Sequence, residues 1–206
     1  MKKKIELFKL KVILLLVLIG SFIFLYSVYL VKAQNVTVTA TVQTSVTWVL
    51  STTTTAFGNI DPSAVYTSSP NVTTTVSCNP AAGCQVQIND QGSGSQPGLW
   101  NSSASYLIPS PDSAFNATAT LVAGTVGYGI QVATTSAGSG GTLTLNPRYN
   151  QTGTTVGGLT TTTIQLASSS QPVANREIVV THKAAVSVLT PAGSYQDTIT
   201  YNCVSN

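Results

Sequence analysis

Asn71-Val-Thr-Thr-Thr-Val-Ser-Cys78 and Cys84-Gln-Val-Gln-Ile-Asn-Asp90 are two short runs separated only by Asn79-Pro-Ala-Ala-Gly83. In the first run Val72, Thr74, Val76 and Cys78 fall on one parity; in the second Cys84, Val86 and Ile88 do. A period of two is the mark of a strand with one face buried, because successive side chains leave the pleated backbone on opposite sides. Pro80 and Gly83 between the runs are turn chemistry. The stretch therefore predicts a β-hairpin. Both cysteines point inward at the mouth of that turn, so a Cys78–Cys84 cross-strand bridge is sterically reasonable. Cys203 shares an inward parity with Ile199 and Tyr201, which keeps a bridge from Cys203 to either partner open.

The same period continues outward in both directions. Residues 35–51, NVTVTATVQTSVTWVLS, place Val36, Val38, Ala40, Val42, Val46, Trp48 and Leu50 on even positions and mostly Thr, Gln and Ser on odd ones. That is longer than a usual strand of about 5–6 residues. Either the run bends between two sheets, or part of it reaches beyond its own domain. Residues 34–45 are the candidate leading arm, with Val36, Val38, Ala40 and Val42 as the residues a donor strand would insert. Downstream, strands are predicted over Asn116–Ala123, Tyr128–Thr134, Thr142–Asn146, Leu159–Ala167, Glu177–Leu189 and Ser194–Val204. Gly-, Ser- and Pro-rich turns at Gln91–Gly98, Ser136–Gly141, Gln151–Gly158 and Ser168–Val173 separate them. No stretch of the body keeps a helical period. The pattern predicts an all-β fold, an immunoglobulin-like antiparallel β-sandwich, as a single domain over residues 34–206. Few charges guard its sheet edges, so the edges must be covered by glycans or partner strands, or must serve assembly.

Ahead of this body, residues 1–33 have the layout of an export signal. A basic start with Lys2, Lys3, Lys4, Lys9 and Lys11 precedes the uncharged run Val12–Val31, and Lys32-Ala33 follows. The apolar run is also long enough to span a bilayer as a helix. Two readings stand: cleavage before Gln34, or an uncleaved N-terminal anchor whose only membrane contact is through residues 12–31. Both put residues 34–206 outside the cytoplasm, with the lysines inside. Cysteines that pair fit an extracellular or cell-surface location.

Charge excludes several functions. Only 7% of the 206 residues are charged, against about 25% in an ordinary domain. Residues 1–33 carry a net +5, and residues 34–206 a net −2 with only Arg148, Arg176 and Lys183 as cations. Three scattered cations cannot neutralise a run of phosphates, so nucleic acid is not an expected partner. Enzyme chemistry is poorly supplied. His182, the only histidine, shares parity with Ile178, Val180, Ala184, Val186 and Val188, which reads as a core or rim residue. No Ser stands in a G-x-S-x-G elbow. Asp61, Asp90, Asp112 and Glu177 sit in or beside turns, where Asp bonds its own backbone. No catalytic residue, cofactor or metal site is expected. Trp100 and Tyr106, in the Pro- and Gly-rich stretch after the hairpin, are candidate glycan contacts if exposed, and a core plug from a long loop if not.

Three ordered features carry a family resemblance: Phe57-Gly58-Asn59-Ile60 after the first strand, the Cys84–Asp90 strand leading to Gly98-Leu99-Trp100, and the closing run Leu189-Thr-Pro-Ala-Gly-Ser-Tyr-Gln-Asp-Thr-Ile-Thr-Tyr201. Together they resemble secreted surface β-sandwiches of the WxL-type cell-wall domains and the spore coat protein U-type pilus subunits. Trp48-Val49-Leu50 fits the letters of a W-x-L motif but lies early, and Tyr201 and Cys203 stand where a second motif would lie, so no binding residue carries over. The resemblance implies an exported sandwich that binds a cell-wall polymer or lends its leading strand to a neighbour. The expectation is thus a non-enzymatic extracellular structural protein of a surface layer, wall-associated coat or fibre. Its partners would be a cell-wall or surface polymer or copies of itself. The alternative is an adhesin or carbohydrate-binding module.

Overall fold

The computed structural model describes residues 2–28, 34–111 and 118–206. An N-terminal helix, α1 (Lys2–Val28), precedes the strands. They are β1 (Val46–Leu50), β2 (Tyr66–Thr67), β3 (Val72–Cys78), β4 (Cys84–Asp90), β5 (Gly98–Asn101), β6 (Tyr106–Pro109), β7 (Thr118–Thr120), β8 (Gly127–Thr134), β9 (Ser139–Gly140), β10 (Thr144–Leu145), β11 (Thr155–Gly157), β12 (Ile164–Ser168), β13 (Val173–Ala185) and β14 (Ile199–Ser205). Residues 1–42 and Gln43–Asn206 are separate compact units. Over Lys2–Phe24 α1 is long and apolar enough to cross a membrane; a signal sequence near an N-terminus has the same character.

Two antiparallel sheets make the sandwich. The larger runs β1-β3-β13-β8-β11-β7, with β2 and β9 also on β13; the smaller runs β10-β12-β4-β14. β3 and β4 alternate buried and half-buried residues without a break, as the period of two predicts. The predicted hairpin does not form: β3 pairs with β1 and β13, β4 pairs with β12 and β14, and the two strands lie in different sheets, so the Asn79–Gly83 turn crosses between layers instead of joining neighbours. The Cys78–Cys84 disulfide therefore ties the two layers together at one end, and Cys203 stays a free, half-buried thiol. Between the layers, Val76, Ile130, Ile178 and Val180 of the large sheet pack with Val86, Ile88 and Leu166 of the small one. Each such side chain contributes about 1.5–3 kcal/mol by leaving water. β14 keeps its predicted parity: Ile199 and Tyr201 pack against the core, and Thr198 and Thr200 are exposed.

Several expectations need correction. The long alternation 35–51 does not form one strand. Only Val46–Leu50 pairs, antiparallel to β3, and that pairing stops at Val46↔Cys78 because β3 ends there. Beyond it Asn79 takes over from the ladder. Its amide N–H donates to the Ser45 carbonyl (3.1 Å) and its side-chain Nδ2 donates to the Gln43 carbonyl (2.8 Å), while its Oδ1 accepts from the Ser45 N–H (2.6 Å). Residues 34–45 form no strand. At the far end, β13 stops at Ala185 instead of continuing to Leu189; Thr190 N–H closes a turn onto the Ser187 carbonyl, leaving Val188 and Leu189 exposed. The stretch after β4 contains a two-stranded ribbon, β5 with β6, where a loop was expected. β9 and β11 occupy parts of the predicted turns Ser136–Gly141 and Gln151–Gly158. Of the predicted strand Asn116–Ala123, Thr118–Thr120 pairs with β11, and residues 112–117 lie outside the described residues.

Candidate functional site

The ribbon β5–β6 and the run-in to β14 frame a cleft. Trp100 N–H donates to the Gln196 carbonyl (2.8 Å) and Gln196 N–H to the Trp100 carbonyl (3.0 Å), stitching residues 191–198 alongside β5. Gln91 N–H donates to the Thr198 carbonyl (2.9 Å), which fixes the turn after β4 to the same segment. Gly98 enters β5 at φ +140, where a side chain is strained and a Cβ would strike the Ile108 carbonyl. The result is a cleft of about 580 Å³ whose wall includes Trp100, Asn101, Gln91, Gln196 and Asp197. Among the described residues, amides, hydroxyls and one carboxylate line it around a single aromatic ring, and no lysine or arginine does. Chemically this suits an uncharged, hydroxyl-rich ligand stacked on an indole, and disfavours an anion.

Trp100 and Tyr106 are neighbours in the ribbon but not on one face. Trp100 lies opposite Leu107, and Tyr106 lies opposite Asn101. Alternation therefore sends the Tyr106 ring to the other side, where it meets Tyr195 edge-on at 6.4 Å and packs against the core. Asn101 is buried, and its Oδ1 accepts from Ser103 and Ala104 N–H (both 3.1 Å), closing the turn at the end of β5.

The other candidate surface is the leading arm. Val36, Val38 and Val42 are 85%, 88% and 83% exposed, and Ala40 is exposed as well. An apolar row held in water on one parity is an unpaid debt of buried area. The small sheet ends on β14, whose outer edge has no strand partner among the described residues. Such an edge presents unpaired N–H and C=O groups to any strand that approaches.

His182 is buried in the large sheet, its ring stacked on Tyr128 (6.4 Å, 11° between planes) and its Nδ1 3.5 Å from Ser68 Oγ. Loss of solvent pulls its pKa down to about 4, so the ring is neutral at pH 7. The Ser68 contact is at the limit of hydrogen bonding, and the ring packs as part of the buried face of the large sheet. Asp61 bonds its own turn, accepting from the Ser63 N–H (2.7 Å). Asp90 does not behave that way. It ends β4 on the buried parity of Cys84, Val86 and Ile88, a placement the alternation alone could have revealed. Asp112 lies outside the described residues. No protein-family model and no curated protein matches this chain.

Proposed function

We propose that the protein is a non-enzymatic extracellular structural protein of a cell-surface layer, wall-associated coat or fibre, built from copies of itself. The observation that carries this reading is the arm: Val36, Val38, Ala40 and Val42 alternate like a strand and stay exposed, in a chain whose small sheet ends on the open edge of β14. A strand added to that edge gains main-chain hydrogen bonds and buries alternate side chains. Addition from one copy to the next is head-to-tail, which does not close and so builds fibres. Export through the apolar helix, with release near Ala33, frees the arm to do this. Fractionation of the source cells followed by immunoelectron microscopy tests the reading: label on surface layers or filaments supports it, and label confined to the cytoplasm defeats it.

The Trp100 cleft favours a second reading, an adhesin or carbohydrate-binding module that holds a wall or surface polymer. A glycan array separates the two. Binding to one glycan class that is lost in Trp100→Ala supports the module; no binding on any glycan leaves the structural reading alone.

A further inference from the structure

Asp90 is 1% exposed, and neither of its carboxyl oxygens meets a hydrogen-bond donor among the described residues. It pairs across the sheet with Ile199, the first residue of β14. Asp197 stands two residues earlier in the run-in, which the Gln91 N–H bond to the Thr198 carbonyl (2.9 Å) holds against the end of β4. Asp197 Oδ1 accepts from the Gly92 N–H (3.2 Å), and its Oδ2 is buried without a donor. Two carboxylates in such contact away from water cannot both be charged. The groups around them come from every neighbouring element. The buried Tyr128 of β8 lies in electrostatic reach of both carboxyls. Tyr201 of β14 and the fully buried Tyr149 carry hydroxyls without partners, and both lie in electrostatic reach of the pair. Arg148 sits over the Tyr149 ring (5.7 Å). The Gly92 and Gly98 amides lie near Asp90 without closing a bond to it.

We propose that Asp90 and Asp197 hold one proton between them, forming a carboxyl–carboxylate clasp that fastens the end of β4 to the run-in of β14 and grips more tightly in acid. Burial, and then the hydrogen bond and charge of Asp197, push Asp90 up to about 9. An unfolded Asp loses its proton near pH 3.9, at about its ordinary value. The stability that this proton carries is therefore complete in acid and declines as pH rises towards the folded value. His182 acts in the opposite sense but only below about 6.5, where the unfolded chain takes up a proton that the folded ring refuses. Cys203 and the buried tyrosines, all raised, enter only above about 9. The interval from about pH 7 to about pH 9 thus belongs to the clasp. Because Gln91, Gly92 and Asp197 also line the cleft, the clasp sets one wall of it.

The test is denaturant unfolding of the full chain in mild detergent at several pH values. The clasp predicts that the unfolding equilibrium constant rises with pH in this interval, by up to about tenfold per pH unit. Asp90→Asn, which cannot ionise and whose amide donates as the acid does, should lose that slope. No slope in the unaltered chain, or the same slope in Asp90→Asn, overturns the proposal. Infrared spectroscopy of the unaltered chain at pH 7 needs no variant. A protonated-carboxyl band that disappears on unfolding is expected, and its absence from the folded protein overturns the clasp.

Discussion

The strands Val72–Cys78 and Cys84–Asp90 and the arm 35–45 are written in the same alphabet, Val alternating with Thr or Gln, yet only the first two are strands. The difference is not in propensity. β3 lies between β1 and β13, and β4 lies between β12 and β14, so each has a partner on both sides and a core beneath it. The arm has neither, because the ladder that would carry it ends at Cys78 and Asn79 takes up the last backbone groups. Alternation states what a segment can join; the supply of a neighbouring edge decides whether it joins.

That comparison is open to attack at both ends. The largest effect is expected in the core: Ile88→Ala should destabilise the folded body by about 2–5 kcal/mol in denaturant titration, since the side chain is fully enclosed. Opening the bridge with Cys78→Ser and Cys84→Ser should cost about 2 kcal/mol, the low end expected for so short a loop. Lowering pH from about 6.5 towards 4 penalises the buried neutral His182. Against His182→Gln, the unaltered chain should therefore lose about 1 kcal/mol per pH unit over that range in paired unfolding curves. Asn79→Ala removes the side chain that fastens Gln43 and Ser45 and should cost about 1 kcal/mol. It should also speed amide hydrogen exchange at Ser45. The smallest effect belongs to the arm: Val38→Ala, despite its strand-like context, should change the stability of an isolated copy by less than about 0.5 kcal/mol.

The legible parts of the molecule were those whose burial is decided by one sheet face. β3, β4 and the centre of β13 follow the period residue by residue, and His182 takes the buried position its parity assigns. What escaped was set by pairing instead of pattern. β9 and β11 are two and three residues long, too short to show any period, and exist because β13, β7 and β8 pass beside them. The ribbon β5–β6 was hidden by Pro97, Gly98 and Pro109, residues that signal a loop but here sit at the ends of a two-stranded edge, where missing donors do no harm. The cleft brings together residues about a hundred positions apart, Gln91 with Thr198 and Trp100 with Gln196, which no local pattern can announce. Asp90 was readable from parity, but its partner Asp197 was not.

Whether the arm is a strand awaiting its sheet is decided by mass in solution. A form beginning at Gln34 and a shortened form beginning at Ser45 are compared by multi-angle light scattering over a wide concentration range. The assembly reading predicts that the longer form grows into multimers, while the shorter form stays at the mass of one chain. Two monomers of equal stability at the highest concentration would contradict it.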